Sequence, residues 1–147
     1  MKQIKDGMPV MARHEGNWIG NYVHVDISGE ILDQHKSEIS CTFPERGSYP
    51  YFQTNTYTWK NGKVEKIDFP GIYKDNRVWF DNERIKGSVW EIDRRSLILT
   101  WTRKDIHTSY LYEMIHLSDD NNFRTRTWHW FKEDKCFQKT LIHETKF

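Results

Sequence analysis

Residues 15–22 read EGNWIGNY, and residues 16–27 as a whole alternate in the manner of a strand. Two glycines within such a stretch are costly. Glycine weakens a strand and usually marks a bend, a bulge or a place where something packs against bare backbone. Trp18, between Gly16 and Gly20, points to an indole lying over a tightly bent first strand. Trp18, Gly20, Tyr22 and His24 share one face, and a glycine on that face suits a strand bent across a closed barrel.

The rest of the chain reads the same way. Apolar and polar residues alternate, and turn-type clusters recur at short intervals. Ten strands are expected, at 16–27, 35–44, 51–60, 64–72, 76–81, 84–92, 96–103, 108–118, 123–132 and 135–146. Asn61-Gly62 is the strongest hairpin signal, because both positions tolerate positive φ. Asp93–Arg95, Lys104-Asp105, Ser118–Asn122 and Glu133-Asp134 separate other pairs. A short helical turn is expected before the first strand, near Pro9–Arg13. Sequential antiparallel strands lose their exposed edges by closing on themselves, so the expected fold is all-β, an up-and-down antiparallel barrel of about ten strands. A β-sandwich is the alternative, but uniformly short loops favour a meander.

Composition agrees with one domain over residues 1–147, long enough to bury most of its apolar surface. The 22 Lys and Arg nearly cancel the 21 Asp and Glu, so no net field steers the protein to nucleic acid or to a membrane surface. Seven Trp, seven Tyr and eight Phe exceed what a modest core needs and imply aromatic-lined surfaces or a cavity. The two cysteines have no metal-type spacing and are expected as free thiols. The opening MKQIKDGMPVMARHEG has no apolar leader-like core, and no apolar run is long enough to span a bilayer. A soluble cytoplasmic protein is expected.

Hairpin register carries one face from strand to strand. A turn at Glu133-Asp134 that pairs Trp130 with Phe137 puts Trp128, Arg126 and Arg124 on a face with Lys139, Leu141 and His143, and leaves Gln138 and Thr140 facing solvent. The 118–122 loop then adds Tyr110, Tyr112, Met114 and His116. The 104–107 turn adds Leu97, Leu99 and Trp101, and the Arg94-Arg95 turn adds Trp90. The 118–122 loop decides this assignment, because a one-residue slip there would make Glu113, not Tyr112, the neighbour of the arginines. In the third strand Gln53, Asn55, Tyr57 and Trp59 form a mixed amide and aromatic row, opposite the solvated row Phe52, Thr54, Thr56 and Thr58.

A small barrel is either filled by side chains or holds one ligand. The candidate ligand-binding residues are Tyr22, His24, Asn55, Tyr57, Trp90, Trp101, Tyr110, Tyr112, Met114, Arg124, Arg126 and Trp128. Two inward guanidiniums could clamp a carboxylate or phosphate, or could instead pair with inward acids. None of the seven histidines stands in a zinc-type spacing, so no metal or cofactor is expected. His24, His116 and His143 could reach the interior as hydrogen-bonded wall residues or as an acid or base. Neither nucleophile motifs nor phosphate-cradling glycine loops occur.

The EGNWIGNY stretch resembles the Gly-x-Trp signature on the first strand of lipocalins and other calycin barrels, with Gly16 and Trp18 as the matching residues and Gly20 following as in the nitrobindin-like branch. The stretches YFQTNTYTWKNGK and RTRTWHWF are similar to an uncharacterised lipocalin-like family of bacteria and cyanobacteria. That resemblance implies a calycin-type barrel in which Trp18 closes one end, stacked on a basic residue of a late strand, Arg124 or Arg126. No histidine stands in the local context that nitrobindins use for haem. The expected function is binding of an aromatic or lipid-like small molecule, with or without an anionic group. A cofactor-independent isomerase, cyclase or lyase using the same cavity is the alternative. A third reading is an interaction module, with outward Leu111 and Ile115 forming a homodimer surface.

Overall fold

The computed structural model describes residues 3–147. Two single-turn helices, α1 (Ile4–Gly7) and α2 (Pro9–Ala12), precede ten strands. These are β1 (Gly16–Asp26), β2 (Ile31–Thr42), β3 (Tyr51–Thr58), β4 (Val64–Lys74), β5 (Arg77–Asp81), β6 (Ile85–Glu91), β7 (Ser96–Arg103), β8 (Ser109–Leu117), β9 (Phe123–Lys132) and β10 (Lys135–Lys146). Each strand pairs antiparallel with its chain neighbours and β1 pairs with β10, which closes the barrel in up-and-down order. The expected strands all form; β2 alone starts well ahead of its expected bound. Among the described residues no helix is long and apolar enough to cross a membrane.

Local chemistry explains the turns. Glu133 and Asp134 both have positive φ (51° and 62°), as a two-residue hairpin turn demands, and Asp75 and Asn76 do the same between β4 and β5. Gly20 answers the question raised by the first strand. A Cβ there would lie 2.3 Å from the His143 carbonyl oxygen and 2.6 Å from Glu144 Cγ. Only glycine lets β10 approach that closely while Glu144 turns inward.

One end of the barrel is closed by the segment before β1. Proline opens α2, where its missing N–H costs nothing. The amides of Val10 and Met11 donate to Glu91 Oε2 at 2.8 and 3.0 Å. Arg13 donates to Asn121 Oδ1 and to the carbonyls of Arg94 and Ser118. These bonds tie the helical cap to the β6–β7 and β8–β9 turns, with Met8, Val10 and Met11 buried beneath.

Three register differences redistribute the expected inner face. After the Glu133-Asp134 turn Lys135 pairs with Lys132 and Cys136 with Phe131, but a bulge then sets Gln138, not Phe137, opposite Trp130. From there Thr140, Ile142 and Glu144 face inward, and Phe137, Leu141 and His143 face out. Strand β8 is one residue out of the expected phase on both sides. Leu117 pairs with Arg124, and Trp101 with Leu111. Positive φ at Thr108 (62°) and Asn121 (65°) absorbs the extra turn residues. Leu111, Glu113, Ile115 and Leu117 are therefore buried, and Tyr112 and Met114 are exposed. Leu111 and Ile115 cannot form an outer dimer surface. In the β6–β7 hairpin Val89 pairs with Leu99, leaving Trp90 opposite Ile98 on the outer face, under the Arg77 guanidinium.

Candidate functional site

The lower interior is a neutralised charge cluster. Arg124 donates from Nε to Glu144 Oε1 at 2.8 Å and from Nη2 to Oε2 at 3.2 Å. Arg126 donates from Nε to Glu113 Oε2 at 2.5 Å, and from Nη1 to Tyr22 Oη at 3.0 Å and Glu144 Oε1 at 3.4 Å. All four charged side chains are buried. Burial alone would raise the Glu144 carboxyl, but the two guanidiniums outweigh it and hold the group below its ordinary value. Arg124 also donates to His14 Nδ1 at 3.0 Å, which leaves the imidazole proton on Nε2. Burial, reinforced by Arg124 and Arg126, pushes His14 well below its ordinary value and keeps it neutral.

Arg124 additionally stacks on Trp18, with its guanidinium carbon 4.4 Å from the ring centre. That is the floor which the Gly-x-Trp signature implied, and Arg124 is the basic partner. The ligand-clamp reading of the two arginines is corrected here. Both are spent on internal carboxylates, the first of which, Glu113, enters through the register of β8. A buried guanidinium without such a partner would be costly.

The upper interior is different. Between Tyr22, His24, His35, Tyr57, Trp59, Ile67, Phe69, Trp101, Trp128 and Trp130 lies a cavity of about 170 Å³, with Arg84, Arg103 and Glu65 at its rim. It lies at the end formed by the β1–β2, β3–β4, β5–β6, β7–β8 and β9–β10 turns, opposite the helical cap. Its wall is a continuous aromatic stack. Tyr22 lies on His35 at 4.8 Å, His35 against Trp59 at 4.4 Å, and Trp128 meets Tyr22 and Trp130 edge-on at 5.6 and 5.5 Å.

Polar groups punctuate that wall. His35 Nδ1 and Asp33 Oδ2 are 3.0 Å apart, and Trp59 Nε1 donates to both Asp33 oxygens at 3.0 Å. His24 Nδ1 is bonded to Thr140 Oγ1 at 2.7 Å, and Trp130 Nε1 donates to the same hydroxyl at 2.9 Å. Burial, then the neighbouring His35, holds His24 below its ordinary value. One ligand-type atom from each of His24, Asp33 and His35 lies within 4.8 Å of the others. On β3 the amide row forms a hydrogen-bonded ladder, with Tyr51 Oη donating to Gln53, Gln53 to Asn55 and Asn55 to Tyr57 Oη at 2.7–2.8 Å.

Beneath the aromatic wall is a second, enclosed cavity of about 40 Å³, bordered by His14, Trp101, Glu113 and Trp128 among others. Such a space admits two or three water molecules. His14 Nε2, Glu113 Oε1 and the indole nitrogens of Trp101 and Trp128 have no hydrogen-bond partner among the described residues. They supply three donors and one acceptor around it.

The expected site residues thus divide. Tyr22, His24, Tyr57, Trp101 and Trp128 line the mouth cavity. Asn55, Arg124 and Arg126 border the enclosed space below. Trp90, Tyr110, Tyr112 and Met114 lie on the outer face, where Tyr110 and Tyr112 pack on Phe131. His116 and His143 are exposed. His35 and Asp33 were not among the expected members, and Glu113 was expected beside the arginines only with a one-residue slip of the 118–122 loop. The period-two row His35, Ser37, Ile39, Cys41 in β2, buried throughout, is the signal that would have found His35.

No protein-family model matches the sequence, and no curated protein matches it significantly. Solved structures do match in shape. A DUF3598-family protein of unknown function from Nostoc punctiforme superposes with a TM-score of 0.74 at 16% identity, over 93% of this chain. That alignment takes in only 49% of the Nostoc protein, so this chain spans about half its length. The S-type phycobiliprotein lyase CPES from Guillardia theta gives 0.73 at 13% identity, over 95% of this chain and 91% of its own. Rv2717c from M. tuberculosis gives 0.63 at 8% identity, over 96% and 97%. At such identities the likeness is one of fold. This chain has the closed ten-stranded barrel also found in a DUF3598 protein and in a phycobiliprotein lyase, consistent with the lipocalin-like resemblance of its sequence.

Proposed function

We propose that this protein binds one small aromatic or similarly flat apolar molecule, with its ring in the mouth cavity and an acidic substituent at the rim. The observation that carries this reading is the aromatic-walled cavity of about 170 Å³ at the uncapped end. An apolar cavity of about 150 Å³ accepts benzene, so this one suits a single ring system with the remainder projecting outward. Pockets of this kind are mostly apolar with a few placed polar groups. Arg84, bonded only loosely to Glu65 at 3.4 Å, is the cation best placed for an anion. It takes the role that the sequence suggested for Arg124 or Arg126.

Titration with 8-anilinonaphthalene-1-sulfonate, an aromatic anion, tests this. Saturable one-to-one binding that quenches tryptophan emission is expected, weakened severalfold by Arg84→Ala and more by Trp130→Ala. Absence of saturable binding, or affinity indifferent to both changes, would falsify the proposal.

A second reading has its own observation. Asp33 beside His35, at the cavity wall, is the arrangement that orients an imidazole as a general base. One protein of this fold is a phycobiliprotein lyase, so the barrel shape is compatible with enzyme action on a bound small molecule. Turnover of a bound compound that is lost in His35→Gln while its affinity is kept would favour this reading over simple binding.

A further inference from the structure

We propose that His24, Asp33 and His35 form a binding site for one divalent transition-metal ion of the zinc and copper class at the wall of the mouth cavity. The proposal stands apart from the organic ligand discussed above. It rests on side-chain geometry that β1–β2 pairing creates.

His24 lies opposite Asp33, and Tyr22 opposite His35, in the antiparallel register. Residues two apart on one strand share a face, so both β2 side chains reach the side of the sheet that carries His24. The ladder shifts after His24, and a shift of this kind re-aims the side chain beside it. One ligand atom from each of the three residues falls within 4.8 Å of the other two. Asp33 Oδ2 and His35 Nδ1 are already 3.0 Å apart. Two donors that each sit about 2.0–2.2 Å from a zinc ion are separated by a little over 3 Å. That pair therefore has near-ligating separation, and a His24 ligand atom already lies within 4.8 Å of both.

Supporting hydrogen bonds complete the arrangement. Trp59 Nε1 donates to both Asp33 oxygens at 3.0 Å and fixes the carboxylate plane. In the tautomer in which His24 Nδ1–H donates to Thr140 Oγ1 at 2.7 Å, its Nε2 is left free as the ligand atom. Metal-binding histidines and carboxylates are typically steadied by such outer bonds. Two imidazoles and one carboxylate are a donor set that zinc accepts, with a further coordination position left open. His24 and His35 also line the aromatic cavity. An oxygen- or nitrogen-bearing small molecule entering the mouth could then be held by the ion as well as by the rings.

Untagged protein, stripped with chelator, should be titrated with Co²⁺ and followed by its visible absorption, then with Zn²⁺ in competition. One saturable equivalent with an absorption band of a low-coordinate site is expected. His24→Ala and Asp33→Asn should each weaken binding by at least about tenfold, as loss of a ligand or of its support does. His107→Ala, in the exposed β7–β8 turn, should leave it unchanged. Because His35 packs between Tyr22 and Trp59, His35→Gln is used only where circular dichroism confirms the native barrel. No saturable equivalent in the parent protein, or equal affinity in His24→Ala, would overturn the site.

Discussion

The two ends of this barrel solve the same problem in opposite ways. At the capped end, the four buried charges are paired: Arg124 with Glu144, and Arg126 with Glu113 and Glu144. A cation–π stack and a helical cap close that end. At the mouth, the polar groups are one buried and one half-buried imidazole and the Asp33 carboxylate, set in a wall of indoles and phenols. The difference teaches where to look for ligands. Internal neutrality removes the lower cluster from recognition however attractive two arginines look in sequence, and the weakly paired groups above remain available.

The comparison breaks most sharply at the ion cluster. Arg126→Met leaves Glu113 buried without its partner and should cost about 3–5 kcal/mol, read from urea denaturation. The double variant E113L/R126M should recover much of that loss, since an apolar pair can replace a buried ion pair. A next, smaller effect tests the close approach of β10. Gly20→Ala forces a methyl against the His143 carbonyl and should lower stability by about 1–3 kcal/mol, seen in the denaturation midpoint.

Acid should separate the two ends further. His14 has a folded pKa depressed below an unfolded value of about 6.5, so the unfolded chain binds more protons on acidification. The associated stability is present above about pH 6.5 and is lost as pH falls below it, at about 1.4 kcal/mol per pH unit. Glu144, also depressed, adds its own loss only below its ordinary range near pH 4.5. His14→Gln should reduce the slope of the stability profile between pH 5 and 6.5, with the remaining slope carried by His24, and should leave the more acidic limb. An equal slope in that variant would remove His14 from the account. The smallest effect is expected outside the barrel: Tyr112→Thr should change stability by less than about 0.5 kcal/mol, in contrast to Leu111→Ala beside it, at about 2–5 kcal/mol. Thermal melts of the two variants would check the register of β8 directly.

Much of this fold was legible because its signals are local. Alternation, Asn61-Gly62, Glu133-Asp134 and the Gly16–Trp18 pattern all act within a few residues, and all ten strands follow from them. The inner face was harder, because its assignment depends on counting turn residues. One left-handed residue at Thr108 and another at Asn121 were enough to exchange Tyr112 for Glu113. The bulge near Gln138 likewise exchanged Leu141 for Thr140 and Ile142. The mouth site was only half visible. Tyr22, His24 and Tyr57 lie on strands whose phase was correctly read, whereas the His24, Asp33 and His35 trio is assembled by strand pairing and has no linear motif.

The seam where β1 joins β10 has a kinetic meaning. The other nine pairings join neighbours in the chain, but this one joins the first strand to the last. Contacts so distant in sequence form slowly, because the intervening chain must be ordered first. Tyr22 and His14, the partners of Arg126 and Arg124, arrive only with that step. Until then the four ions are hydrated, and zipping the seam strips their water. Seam closure should therefore limit the refolding rate, and E113L/R126M should refold faster than the parent in stopped-flow fluorescence.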